Sequence, residues 1–157
     1  MDAYKTVNDV LVNLINEVWV LEGRAIITGE FRDLTNNDMH VIEAIGKGEG
    51  KNMSSIAKKL NITVGTLTSA MNRLVKKNYV ERFRSEKDRR IVFVRLLEKG
   101  VRAFDHHEEY HRRMTEAVLA KLTEDEIPVL VKTLDGFTEF FREYHGVPAD
   151  ELKVSSL

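Results

Sequence analysis

Residues 53–96 place the strongest constraint on how this chain folds. Apolar residues recur at helical spacing in two short segments, 53–60 and 63–76, with a tight turn between them. Branched and aromatic residues then dominate two further segments, 79–83 and 91–96, as they do in β-strands. A basic tip joins these two strands. The order of helix, turn, helix, strand, tip and strand predicts a winged helix-turn-helix.

The second helix of this pair has two distinct faces. Ser54 or Ser55 is expected to cap the first helix, and Thr63 the second. An apolar stripe that begins at Leu67 faces inward. The opposite face is small and polar near the helix start, where a recognition helix meets base edges, although an ordinary surface helix could also look like this. The candidate DNA-contacting residues here are Thr63, Gly65, Thr66, Ser69, Asn72, Arg73 and Lys76.

The tip between the strands is rich in cations. Such a tip suits insertion into a minor groove, where the negative potential is strongest when the groove is narrow. Asp88 is unexpected there, and we predict that it holds a neighbouring arginine in a fixed pose. The position directly after a helix-turn-helix favours DNA contact over a merely solvated charge run. The candidate wing contacts are Arg84, Lys87, Asp88, Arg89 and Arg90.

The charge of the chain is unevenly distributed. The whole sequence has a formal net charge of −1. Residues 51–90 hold 11 basic and three acidic side chains, a net charge of +8, so the remainder carries −9. The basic half is the footprint expected of a protein that contacts phosphates.

These segments resemble the MarR family of winged-helix regulators. The resemblance rests on LTxxDMHVIEAI at 34–45, on SSIAKKLNIT followed by NRLVKKNYVER, and on the Asp88-Arg89-Arg90 wing. The chain is most similar to the FabT-type repressors of fatty-acid biosynthesis genes in Gram-positive bacteria, through MHVIEAIGK, VGTLTSAMNRL, RSEKDRR and HHEEYHRRM. The resemblance covers nearly the whole chain.

The flanking segments predict long helices. The first runs from Tyr4 to about Ile27, and a fifth runs from about Val101 to Leu122. Capping boxes are predicted at Thr35 with Asp38, and at 123–126 before a last helix. Residues 152–157 are predicted to form a frayed tail.

The predicted fold class is mainly α with a small β-wing (α+β). It combines a winged helix-turn-helix lobe at about 34–98 with a helical dimerisation lobe at about 1–30 and 101–145, in a single domain at 1–157. The helical lobe is more apolar than one small domain needs, which predicts a two-fold homodimer. Two recognition helices would then meet half-sites about 34 Å apart on double-stranded, pseudo-palindromic operator DNA.

The FabT-type resemblance implies an effector. It implies repression of fatty-acid biosynthesis genes, with long-chain acyl-acyl carrier protein as co-repressor. The carrier is acidic, so Arg24, Arg32, Arg112 and Arg113 are candidates to receive it. An apolar pocket would suit an acyl chain or an aromatic ligand. Its candidate lining residues are Trp19, Leu21, Ile26, Ile27, Phe31 and Phe104.

Histidines raise the alternative of a zinc-responsive regulator. His107 and His111 lie four residues apart on one helix, next to His106. His106, Glu109 and Arg113 favour a solvated face, and no third strong ligand is identifiable. The sequence therefore predicts no metal site and no cofactor, while zinc and a small aromatic effector stay open as alternatives.

Other functions fit less well. No nucleophile has a recognisable base partner, so we do not expect an enzyme. A helical interaction module without DNA binding would leave the basic wing unexplained. The absence of Cys excludes disulfides and thiol redox sensing. No apolar run approaches a membrane span, and no secretory signal is evident, so a cytoplasmic protein without a membrane partner is expected.

Overall fold

The computed structural model describes residues 2–86 and 88–145. The chain divides into two compact units, Met1–Arg112 and Arg113–Leu157. Helices predominate, and three short strands form one sheet. The elements are α1 (Ala3–Ile26), a 3-10 turn (Gly29–Phe31), α2 (Asn36–Ile45), β1 (Lys51–Asn52), α3 (Met53–Lys59), α4 (Val64–Lys76), β2 (Val80–Arg84), β3 (Val92–Leu96), α5 (Glu98–Leu119) and α6 (Glu126–His145).

The predicted start of α2 is confirmed. The Thr35 hydroxyl accepts a hydrogen bond from the Asp38 backbone N–H at 3.1 Å, and the Asp38 carboxylate accepts one from the Thr35 N–H at 3.2 Å. This reciprocal pair satisfies two backbone donors that the first turn of a helix leaves free. Gly46 ends the helix with a φ of 67°, a conformation that glycine adopts without a steric penalty.

The start of α3 differs from the prediction. Asn52, and neither Ser54 nor Ser55, caps the helix, because its side chain accepts a hydrogen bond from the Ser55 N–H at 2.7 Å. The reason is strand β1, which carries the chain in extended form as far as Asn52. After α3, Asn61 has a φ of 52°, the left-handed conformation expected of the turn residue.

Strand β1 forms one edge of a sheet with the order β1-β3-β2. All neighbours are antiparallel, with Lys51 opposite Val94 and Phe83 opposite Phe93. The wing hairpin was predicted, whereas β1 was not. A two-residue strand that follows a glycine-rich linker has no sequence pattern of its own.

The core of the first unit lies beneath the helix-turn-helix. Leu67, Met71 and Leu74 of α4 are fully buried, which confirms the inward stripe. Tyr79 is also buried, and its hydroxyl donates to the Asp33 carboxylate at 2.6 Å. Burial raises the pKa of Tyr79, and the bond to Asp33 adds to that shift. The inner face of α4 and the residue that precedes β2 are therefore buried in the same core.

Helix α5 begins one turn earlier than predicted. It starts at Glu98, because the Val101 N–H already bonds to the Leu97 carbonyl at 2.9 Å, directly after β3. It ends at Leu119 and not at Leu122, where the chain continues as a tight turn.

Helix α6 belongs to the second unit and starts at Glu126. The Glu126 carboxylate accepts a hydrogen bond from the Thr123 N–H at 2.8 Å, which is one of the two bonds of the predicted capping box. The Thr123 hydroxyl donates to the same carboxylate at 3.1 Å. Pro128 is tolerated there because the first turn lacks intrahelical partners for its N–H groups. The predicted tail at 152–157 lies outside the described residues. Within the described part of the chain, no helix combines the length and hydropathy needed to cross a membrane.

Candidate nucleic-acid interface

The exposed face of α4 carries the polar set predicted from the sequence. Thr66, Ser69 and Asn72 are exposed to solvent, whereas Leu67 and Met71 on the opposite side of the helix are buried. The helix therefore presents one polar face along its length. All seven predicted residues are solvent-exposed, namely Thr63, Gly65, Thr66, Ser69, Asn72, Arg73 and Lys76.

The first turn of α4 is held by its own hydroxyl groups. Thr63 is the N-cap, as predicted, and its Oγ1 accepts from the Thr66 N–H at 3.1 Å. The Oγ1 atoms of Thr63 and Thr66 are 2.9 Å apart and share a further hydrogen bond. A Cβ atom at Gly65 would meet only Thr63 Oγ1, at 3.7 Å, so packing within the chain does not require glycine there.

Arg73 has a partner within the protein. Its Nη2 lies 2.9 Å from Oδ1 of Asp38, a carboxylate with no solvent exposure. Lys77 also approaches the second oxygen of Asp38, at 4.0 Å. No sequence pattern pointed to a role for Asp38 beyond capping. The recognition helix is therefore tied to α2 by an ion pair that spans 35 residues of sequence.

The wing contains the predicted arginine–carboxylate pair, and the arginine is Arg90. Its Nε donates to Asp88 Oδ1 at 3.1 Å and its Nη2 to Oδ2 at 3.3 Å, while its backbone N–H also bonds to Oδ1. These hydrogen bonds lower the pKa of Asp88. The Arg90 side chain is 90% exposed, so its charge is fixed in place and remains accessible.

The other wing candidates are exposed or undescribed. Arg84 and Arg89 are exposed, and with Ser85 and Glu86 they line a shallow depression beside the hairpin. Lys87 lies outside the described residues. Basic side chains therefore surround the tip, as the charge distribution predicted.

The six candidate pocket residues fall into two environments. Ile26 and Phe31 are buried in the core, and Ile27 and Phe104 pack against it. Trp19 and Leu21 are about half exposed in the single chain, and the Trp19 ring stacks on His40 with centroids 5.0 Å apart. These positions do not test whether a ligand binds here, so the ligand pocket stays a prediction.

The histidines of α5 are not all on a solvated face. The solvated face was predicted from His106, Glu109 and Arg113, whereas the neighbouring His107 is 1% exposed and lies in the interior. It contacts Glu22, which is also buried, through Nε2 and Oε1 at 3.0 Å. Burial lowers the pKa of His107, whereas a hydrogen bond to Glu43 raises the pKa of His40. The sequence placed these side chains too far apart to suggest that they meet.

Comparisons with known proteins agree with this geometry. The family profile described as MarR matches residues 34–92. The crystal structure of Streptococcus pneumoniae FabT in complex with DNA is 35% identical, covers 90% of this chain and 99% of that one, and superposes with a TM-score of 0.82. The chain belongs to the MarR family of transcriptional regulators.

Other relatives match over shorter stretches or share the fold at lower identity. The regulator PchR of Bacillus subtilis is 29% identical over 64% of this chain and 61% of its own length. The regulator SarZ of Staphylococcus haemolyticus is 38% identical over 44% of this chain and 47% of its own. The chain thus spans about three fifths or less of the length of these curated relatives. An Escherichia coli MarR mutant solved with operator DNA (23% identity, 87% of this chain and 99% of that one, TM-score 0.62) shares the fold.

Proposed function

We propose that this MarR-family protein is a homodimeric DNA-binding transcriptional regulator. Each copy would place α4 in a major groove and its wing in the adjacent minor groove. The observation that carries the proposal is the pairing of an exposed polar face on α4 with a fixed, exposed Arg90 at the wing tip. The first can discriminate base edges, and the second suits a narrow minor groove.

Exposed apolar side chains on the helices outside the DNA-reading lobe support the dimer. On α1, Leu14 is 49% exposed and Val7 is 56% exposed. On α6, Leu134 and Phe140 are 54% and 56% exposed. A soluble monomer rarely leaves so many large apolar residues in water. A second copy related by a two-fold axis would cover them and would set the spacing of two recognition helices.

DNA binding and stoichiometry are tested together. The full chain is titrated with a labelled promoter fragment at several salt concentrations, and the mass of the complex is measured. We expect two chains per site, and an affinity that falls steeply with salt because several phosphates are neutralised. One monomer bound to one half-site would overturn the dimer proposal.

The genes that the protein would control are those of fatty-acid biosynthesis. The support is the likeness to FabT, which extends through the flanking helices. Long-chain acyl-acyl carrier protein would act as co-repressor by favouring the dimer form whose recognition helices match the groove spacing. The acidic carrier would approach exposed arginines such as Arg24 and Arg32.

This finer proposal has its own test. Binding to a promoter fragment from a fatty-acid biosynthesis locus is measured with long-chain acyl-acyl carrier protein. The matched control is the same carrier protein without an acyl chain. Tighter binding with the acylated form alone is expected. Equal affinity in both cases would refute the co-repressor and leave the DNA-binding proposal standing.

A further inference from the structure

We propose that Glu22, His40, His107 and His111 form a binding site for one zinc ion, located where α1, α2 and α5 meet in the first unit. None of these four residues belongs to the set proposed to contact DNA. It does not depend on the identity of the regulated genes or on the acylated carrier.

The distances between the four side chains suit a tetrahedral ion. Glu22 Oε1 lies 3.0 Å from Nε2 of His107 and 3.0 Å from Nε2 of His111, and the two nitrogens are 2.9 Å apart. His40 Nε2 lies 3.8 Å from Glu22 Oε2. Tetrahedral Zn²⁺ with bonds of about 2.0–2.1 Å separates its ligand atoms by about 3.3–3.4 Å. The observed spacings bracket that value, so small side-chain adjustments complete the coordination.

The carboxylate of Glu43 orients the rings of His40 and His107 toward the centre of the proposed site. Glu43 Oε2 lies 3.4 Å from Nδ1 of His40 and 3.8 Å from Nδ1 of His107. Metal-binding histidines commonly donate their other ring N–H to such a carboxylate, which fixes the tautomer and the ring orientation. Here that tautomer leaves the Nε2 lone pairs of His40 and His107 facing Glu22.

This arrangement calls for a cation between the ligand atoms. His40 Nε2 is buried and has no hydrogen-bond partner among the described residues. Glu22 is 4% exposed and His107 is 1% exposed, so water cannot readily solvate the carboxylate or the lone pairs that face it. Burying a charged or polar group without a compensating partner is unfavourable, and more so for a charged group than for a neutral one. An ion bound to all four atoms would remove that cost.

The donor set selects the kind of metal. Three imidazole nitrogens and one carboxylate oxygen are ligands that Zn²⁺ accepts, whereas Ca²⁺ and Mg²⁺ prefer oxygen alone. The chain has no Cys, so no thiolate competes for the ion. Zn²⁺ is therefore the ion to test first, because softer metals would favour sulfur ligands.

Zinc at this place would connect the helical scaffold to the recognition helix. His40 lies on α2, and the same helix carries Asp38, which pairs with Arg73 of α4. Glu22 comes from α1, and the other two ligands come from α5. Bound metal would link three helices and stabilise the packing of α2, the helix to which α4 is tied by the Asp38–Arg73 pair.

The test uses the full chain, freed of any polyhistidine tag and treated with a chelator. Co²⁺ is added and its visible spectrum recorded, after which Zn²⁺ is titrated by calorimetry. We expect the intense visible bands of tetrahedral Co²⁺, their loss when Zn²⁺ displaces it, one ion per chain, and a higher melting temperature. The faint spectrum of octahedral, hydrated Co²⁺ together with no heat at micromolar Zn²⁺ would overturn the proposal.

Two variants locate the site. His111→Gln removes a ligand whose side chain is 38% exposed, so folding should survive, and it should weaken zinc binding at least tenfold. His106→Gln is the matched control on the same helix, because His106 packs against Phe31 and lies outside the cluster. Its zinc affinity should equal that of the unaltered protein. Equal affinities for all three proteins would assign the ion elsewhere and overturn the proposal.

Discussion

Arg73 of the recognition helix donates a hydrogen bond to the fully buried carboxylate of Asp38, with 2.9 Å between Nη2 and Oδ1. The other oxygen of Asp38 accepts the Thr35 N–H and so caps α2. One buried carboxylate therefore starts one helix and holds another. The orientation of the DNA-reading helix depends on this group as well as on apolar packing.

Replacing Asp38 by Ala should lower the free energy of unfolding by about 2–4 kcal/mol, since it removes a helix cap and leaves Arg73 without its partner. Urea unfolding measures the loss. Thr35→Ala is the matched control, because it removes only the cap and should cost about 1 kcal/mol. In the double variant with Arg73→Ala the losses should be less than additive, since both changes break one ion pair. Strict additivity would show that the pair contributes nothing.

Gly100→Ala should destabilise the protein by about 1–3 kcal/mol or more, because an added Cβ would lie 2.1 Å from the Tyr79 carbonyl oxygen. The two nearest atoms belong to the Tyr79 backbone, which cannot rotate away as a flexible side chain could. Gly23→Ala provides a comparison at another helix interior, where the nearest atom, in Asn36, is 3.8 Å away. That change should be neutral or stabilising by up to about 1 kcal/mol. Similar unfolding midpoints for the two variants would contradict the close approach at Gly100.

Asp88→Ala should weaken DNA binding even though it removes a negative charge from the wing. The reason is that Asp88 holds Arg90 through two side-chain hydrogen bonds. Glu86→Ala removes a neighbouring exposed charge of the same sign and should leave affinity unchanged or slightly increased. Fluorescence anisotropy with one promoter fragment compares the two. Tighter binding by both variants would mean that net charge alone governs the wing.

Asn72→Ala should reduce the preference for operator over random DNA, because an amide can read a base edge. Arg90→Ala should weaken binding to both and lower the salt slope by about one unit, as the loss of one phosphate or groove contact does. Competition binding at two salt concentrations separates these effects. The same proportional loss on both DNAs for both variants would refute the division of roles.

Local features of the fold could be predicted from the sequence. The Thr35–Asp38 capping box, the Thr63 cap and the inward stripe on α4 each depend on residues a few positions apart. The arginine held by Asp88 also lies within two residues of it. The sequence predicted such a pair, and the structure identifies the arginine as Arg90. Such contacts follow from helical periodicity and from short-range hydrogen bonding.

Contacts between distant segments could not be predicted in this way. Asp38 meets Arg73 across 35 residues, and Glu22 meets His107 across 85. Periodicity places each of these side chains on a helix face but does not determine which faces pack together. The cap at Asn52 was missed for a related reason, because β1 forms only by pairing with β3 much later in the chain.

The most direct test of the account is the ratio of two affinities, for a fatty-acid promoter fragment and for a scrambled fragment of equal length and composition. Both are measured with the unaltered protein, in the presence of long-chain acyl-acyl carrier protein and at physiological salt. A dimer that reads bases through α4 should prefer the promoter by a factor on the order of 10³ or more. Equal affinity for the two fragments would contradict sequence-specific recognition and, with it, the proposed function.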